Sequence, residues 1–265
     1  MRRLIAFPCA GEILAGSLDI AEGEVGLLLV TGGSQTRIGS HRMYERLAKS
    51  LVEQDISCFR FDRRGVGDSS GVDPGYLASG PDIVAAASAF RAAAPKLRHL
   101  FGFGLCDGAS ALALFGDEAG VEGLILVNPW LVEAEAGTPP PAAIKDHYRR
   151  QLLRLEGWKK ILSGGVDYRK LIKGLKSVVA QPADTGLAAD IAFSLGRSRI
   201  RTNVILADGD ATAVAAAAEL AMPRFQGRIA AIRRLASDSH TFARPGDEQA
   251  LASATAEAVR QLSFG

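Results

Sequence analysis

Apolar and β-branched residues recur along the chain in short runs, and Leu4 to Phe7, Ile13 to Asp19, Gly26 to Val30, Ile56 to Phe61, His99 to Gly104, Gly123 to Val127, Asn203 to Leu206 and Arg228 to Leu235 predict eight strands. Between the later runs the period lengthens. Met43 to Gln54, Ile83 to Ala94, Ala109 to Phe115, Thr212 to Ala221 and Glu248 to Leu262 carry the pattern of helices with one apolar side. This alternation predicts an α/β fold: a mainly parallel sheet with helices on both faces. One segment breaks it. From Trp130 to Arg199 nothing reads as a strand, yet Ile144, Tyr148, Leu152 and Leu155, and then Tyr168, Leu171, Ile172, Leu175 and Val179, fall at helical spacing. The TPPP run, Thr138 to Pro141, marks a stiff lead-in, because consecutive prolines fix φ and remove donors. The expected division is a core of residues 1–129 and 200–265 with a helical insertion over 130–199.

Composition narrows the function classes. With 265 residues, 48% of them hydrophobic, the chain can bury a sizeable core as one domain. The formal charge is only +2 with no long basic run, so a nucleic-acid footprint has no electrostatic basis. The longest apolar stretches, Val25 to Val30 and Leu124 to Val127 among them, fall far short of the ~20 residues of a spanning helix. The apolar run before Pro8 is too short for a secretory signal, so cytoplasmic residence is the expectation. Cys9, Cys58 and Cys106 lack CxxC or metal-finger spacing, which argues against a disulfide framework and a zinc site. No metal or organic cofactor is expected.

Chemistry concentrates in "LFGFGLCDGASALALFG", Leu100 to Gly116. Gly104-Leu105-Cys106-Asp107-Gly108 is the turn between a predicted strand and a predicted helix, with the pattern G-x-C-x-G. In the related G-x-S-x-G elbow the central residue is strained, and the flanking glycines let the tight turn pack without side-chain clashes. A helix start also presents unpaired amides and the positive dipole end, which favour thiolate over thiol. A packed thiol is the commoner role for a cysteine in isolation. The strand–turn–helix context favours a nucleophile.

A nucleophile of this kind needs an acid and then a histidine on later strands. Of His41, His99, His147 and His240, only His240, in "ASDSHTFARP" after the last strand, stands in the required order. For the acid, "ADGDATA" offers Asp208 and Asp210; Asp210 is favoured because it lies farther beyond the strand end, immediately before the next helix. One of the two can instead serve as a turn residue or helix cap. Asn128, after the preceding strand, is uncharged. The Gly32-Gly33 pair allows close backbone approach, so the amides of Gly33 and Asp107 are the candidate oxyanion donors, with Ser34 as the neighbouring alternative. A phosphate-cradling loop is the weaker reading, since neither GxxxxGK[ST] nor a complete GxGxxG unit is present.

Taken together, "TGGS" after the third strand, "FDRRGVGDSSG" after the fourth, "GLCDG", "DGDATA" and "SHTF" resemble an α/β-hydrolase. More narrowly, "GGSQTRIGSHRMYERLA", "GLCDGASA", "DATA" and "HTF" resemble the exosortase A system-associated hydrolases, found beside exopolysaccharide and protein-sorting loci. The resemblance implies an eight-stranded hydrolase sheet with 130–199 as a helical cap between strands six and seven. It also implies a Cys106–His240–Asp210 triad acting on a small-molecule acyl substrate. Two positions depart from the superfamily pattern: Cys106 replaces the usual Ser, and Thr31 the common His before the oxyanion Gly. A thiolate is a better leaving group than an alkoxide, so thioesters, lactones and activated esters are the expected substrates. Between Pro140 and Ala180, Lys and Arg outnumber Asp146, Glu156 and Asp167 by ten to three, a field suited to anionic substrates unless these are simply solvated helix faces. Acyl transfer at the same triad, or a non-catalytic binding module on the same fold, are the alternatives.

Overall fold

The computed structural model describes residues 2–132, 186–198 and 200–264. Strands β1 (Arg2–Cys9), β2 (Glu12–Asp19), β3 (Val25–Val30), β4 (Ile56–Phe61), β5 (His99–Leu105), β6 (Gly123–Val127), β7 (Arg201–Ala207) and β8 (Ala231–Leu235) form one eight-stranded sheet in the order β1-β2-β4-β3-β5-β6-β7-β8. β1 and β2 run antiparallel to their neighbours, and every pairing from β4 to β8 is parallel.

Alternation along the strands builds two cores. In β3, Leu28 and Val30 enter one, with α2 (Gly80–Ala93), α3 (Asp107–Phe115), α4 (Gly186–Ser198) and α5 (Ala211–Leu220). Leu27 and Leu29 enter the other, with α1 (Met43–Val52) and α6 (Asp247–Phe264). Both faces of the central strands are thus buried, as a parallel sheet requires. β5 is asymmetric. Phe101, Phe103 and Leu105 fill the α1/α6 side, while Gly102 and Gly104 leave the other side bare, so α3 lies directly on the strand: a Cβ at Gly102 would stand 2.7 Å from the Leu112 side chain.

Element ends differ from the sequence expectation by a few residues, for local reasons. α2 starts at Gly80 rather than Ile83 because Pro81 is accommodated in its first turn. β8 starts at Ala231 rather than Arg228, because Arg228 N donates back to Phe225 O (3.1 Å) in a turn. The stripes from Ile144 to Val179 and the TPPP run lie outside the described residues. α4, the last part of the expected insertion, buries Leu187, Ala188, Ile191 and Leu195, and Ser194 Oγ donates to the carbonyls of Ala113 (3.0 Å) and Leu114 (3.2 Å). No helix among the described residues is long and apolar enough to cross a membrane.

Parallel register sets where the loops emerge. Val30 pairs with Gly104, Leu105 with Val127, Val127 with Ile205 and Ala207 with Leu235, so the segments after β3, β5, β6, β7 and β8 share one rim. The segment after β3 is anchored from β4: the Asp62 carboxylate, with no solvent exposure, accepts from the amides of Arg37 (2.5 Å) and Asp68 (3.1 Å) and pairs with the Arg37 guanidinium. Asp62→Ala is expected to cost about 3 kcal/mol by leaving Arg37 without its buried partner. Urea unfolding should show a lower midpoint with an unchanged slope.

Candidate active site

Cys106 sits between β5 and α3 at φ 59°, ψ −128°, a conformation that costs a side-chain-bearing residue on the order of 1–3 kcal/mol. Its backbone is clamped on both sides. The amide donates to Val127 O at 3.0 Å, and the carbonyl accepts from Ala109 (3.1 Å), Ser110 (3.3 Å) and Trp130 (3.1 Å). The two elbow glycines are required by close approach: a Cβ at Gly104 would stand 2.6 Å from Ala109 Cα, and one at Gly108 would stand 2.6 Å from Thr31 O. The half-buried thiol therefore stands at the rim, over the start of α3.

Asp210 caps α5, its Oδ2 accepting from Ala213 N at 2.9 Å. The same oxygen accepts from His240 Nδ1 at 3.0 Å, which fixes the ring's tautomer and leaves Nε2 as the nitrogen available to the neighbouring Cys106 thiol. Asp210 first and Cys106 second push the His240 pKa up to about 10 against the opposing effect of burial. Asp208 is turned elsewhere, towards exposed Arg234 at 3.1 Å. Of the two candidate acids, only Asp210 meets the imidazole among these contacts.

The oxyanion candidates have a different arrangement. Gly33 N donates to the Asp107 carboxylate, Oδ1, at 2.5 Å, and Gly33 O accepts from buried Arg63 at 2.5 Å. The Asp107 amide is at the first position of α3, where no intrahelical acceptor exists. Ser34 is exposed beside them.

Three contributions were not read from the pattern. Asn128, at φ 41°, accepts from Ala207 N through Oδ1 (2.9 Å) and donates through Nδ2 to His240 O (3.2 Å), so an uncharged residue passed over as the acid tethers the histidine's backbone. Its place at the end of a rim strand was the available signal. His41, at φ 42°, donates from Nε2 to Thr241 O at 3.0 Å, next to His240 and 200 positions away in sequence. Nothing local announces that contact, nor the reach of the Asp107 side chain to Gly33.

The other thiols differ in environment. Burial pushes Cys9 up to about 11, and its Sγ donates to Asp82 at 3.2 Å; fully buried Cys58 is pushed up further. Among the described residues, no group of His, Cys, Asp and Glu could enclose a metal ion.

A family model described as serine aminopeptidase, S33 (Hydrolase_4) matches residues 34–225. The chain belongs to this family. Cys106 and Asp210 fall within the matched residues and His240 beyond them. A search of curated proteins finds no match. Solved structures share the fold: an esterase of Pyrococcus furiosus (11% identity, 99% of this chain and 91% of that one, TM-score 0.66). Est1E of Butyrivibrio proteoclasticus with ferulic acid bound (14%, 98% and 100%, TM-score 0.63) and a dienelactone hydrolase of Anabaena variabilis (14%, 97% and 95%, TM-score 0.62) share it too. The chain is therefore a hydrolase of the S33 family with the α/β-hydrolase fold.

Two outcomes follow for this S33 hydrolase. Iodoacetamide at neutral pH is expected to modify Cys106 while Cys9 and Cys58 stay unmodified in the folded chain, read by intact mass and peptide mapping. The second concerns pH. The His240 pKa rises on folding from 6.5 to about 10, so its contribution to stability is complete below the lower value and is lost as pH climbs through the upper one. Wild-type and His240→Gln unfolding free energies should differ most near about pH 6 and converge above about pH 10.

Proposed function

We propose that the chain is a Cys-His-Asp acyl hydrolase acting on thioesters, lactones or activated esters. The observation that carries the reading is the Asp210–His240 hydrogen bond beside a thiol that raises the same imidazole's pKa and is held at positive φ on a strand–helix turn. The family description names serine, whereas the elbow of this chain carries Cys106; a thiol there serves as nucleophile in the proposed reaction and narrows the leaving group.

In the first half-reaction the proton shared by the pair rests on His240 Nε2, as a histidine raised to about 10 holds it at neutral pH, and the Cys106 thiolate sulfur forms a bond to the substrate carbonyl carbon. The C=O π pair moves onto oxygen, facing the backbone amides of the rim. When that pair returns, the bond to the leaving thiolate or alkoxide breaks, and the leaving group takes the proton from Nε2. In the second half-reaction water gives a proton to Nε2 as its oxygen attacks the thioacyl carbon. Collapse breaks the C–S bond, its electron pair going to sulfur, and releases the carboxylic acid, which leaves the thiolate beside protonated His240. Asp210 keeps Nδ1 protonated and turned inward throughout, so Nε2 remains the exchanging nitrogen.

Sulfur leaves an intermediate more readily than an alkoxide, so alkyl esters and amides regenerate substrate instead of advancing. The resemblance to exosortase A system-associated hydrolases extends the proposal to a cytoplasmic enzyme of exopolysaccharide or protein-sorting chemistry. The basic balance between Pro140 and Ala180 suits an anionic leaving group.

The test is a panel of thioesters, lactones, activated esters and alkyl esters, with mass spectrometry of the quenched enzyme. An acyl adduct on Cys106 from the first three classes is expected, with Cys106→Ala lowering kcat by at least about 10³-fold. Full turnover by Cys106→Ala would falsify the assignment.

A further inference from the structure

The Gly33 amide, beside the Cys106 elbow, already has an acceptor: Asp107 Oδ1, at 2.5 Å. The fit is tight, since a Cβ at Gly32 would stand 2.7 Å from that oxygen and 3.2 Å from Cys106 Cβ. The amide itself is not free to turn away. The carbonyl that shares its peptide plane, Gly32 O, accepts from Gln35 N at 3.3 Å, and the next carbonyl, Gly33 O, is held by buried Arg63 at 2.5 Å. The half-buried Asp107 side chain is the movable partner.

A carboxylate competes strongly for a single N–H, because charge-assisted hydrogen bonds are roughly twice as strong as neutral ones. A plain acyl oxygen offers no equivalent acceptor in exchange. An acyl group that gives the displaced carboxylate a donor of its own does better, and the carbon next to the carbonyl is the place for it, since Asp107 follows Cys106 directly in the chain. We propose that Asp107 is a specificity-determining residue. It occupies the Gly33 amide until an acyl group with a hydroxyl or ammonium beside its carbonyl binds. That donor takes the Asp107 carboxylate while the carbonyl oxygen takes the amide. The inference rests on the reading of Cys106 as nucleophile.

A carboxylate that merely tied the elbow to the β3 loop would slow or speed every acyl group alike on removal. The distinguishing measurement is therefore a ratio: kcat/KM for 2-hydroxypropionyl and 2-aminopropionyl thioesters against the near-isosteric propionyl thioester of the same thiol. Wild type is expected to favour at least one donor-bearing acyl group by about tenfold or more. Asp107→Ala should raise the propionyl rate and shrink the ratio to within about threefold. Asp107→Asn, which keeps the side-chain volume, should fall between them and carries the same comparison if the alanine variant does not fold. Preference for the amino compound alone assigns an ammonium, and equal preference assigns any donor. A wild-type ratio near one, or a ratio unchanged in both variants, overturns the inference. Acyl-Cys106 is followed by mass in the same samples. No adduct from any of the three overturns the nucleophile reading and this inference together, whereas an adduct with an Asp107-insensitive ratio overturns the inference alone.

Discussion

The positive φ of Cys106 is sustainable only because β5 and β6 end at the same level. Leu105 pairs with Val127, and the next amide, that of Cys106, then meets the Val127 carbonyl at 3.0 Å. A register shift of one residue would remove this bond and reverse the side of the sheet each side chain faces. The strain is thereby stored against a rigid neighbour, and the Cys106 carbonyl, taking three amides, closes the other side of the clamp. From this one fixed turn the thiol, the start of α3 and the Asp107 side chain all take their positions.

The histidine depends on the same rim but reaches it by a different route. Asp210 is oriented by its own helix before it serves the imidazole, because one oxygen takes both the Ala213 amide and His240 Nδ1. An acceptor fixed by an N-cap needs little reordering to receive the ring, so the tautomer follows from helix geometry. Asn128 adds a second tether across β6 and β7, from the Ala207 amide to the His240 carbonyl, and His41 supports Thr241 from the β3 side. The ring is held through Nδ1 and its own backbone carbonyl, and Nε2 takes no part in either tether.

Much of this was legible in the sequence, and the exceptions have a common cause. Strands such as Ile56–Phe61 and Gly123–Val127 declare themselves because both faces are buried, so their whole span is apolar or β-branched apart from a few positions such as Arg60. Cys106, His240 and Asp210 were findable because chain order and loop position constrain them, and parallel topology turns that order into proximity. Helix starts were misplaced where a proline or an acidic residue opens the first turn, since Gly80, Pro81 and Asp107 do not belong to the apolar periodicity. The contacts that tune the site, Asp107 to Gly33 and His41 to Thr241, join residues 74 and 200 positions apart through side-chain reach at a shared rim. Periodicity encodes which face a residue occupies and carries no information on such lateral contacts.

The two unusual features of the rim act in the same direction. In the proposed reaction a thiolate nucleophile makes the return of the tetrahedral intermediate easy, so forward reaction demands a leaving group at least as ready to depart as sulfur. A Gly33 amide engaged by Asp107 offers less stabilisation to an oxyanion at the moment of attack, which demands a carbonyl that is already electron-poor or a substrate that disengages the carboxylate. A serine alkoxide with a vacant amide pair relaxes both demands and accepts ordinary esters. On the proposed function, sulfur at the elbow and a carboxylate on the amide tighten both demands together, so that selectivity for activated acyl groups would arise at the rim itself.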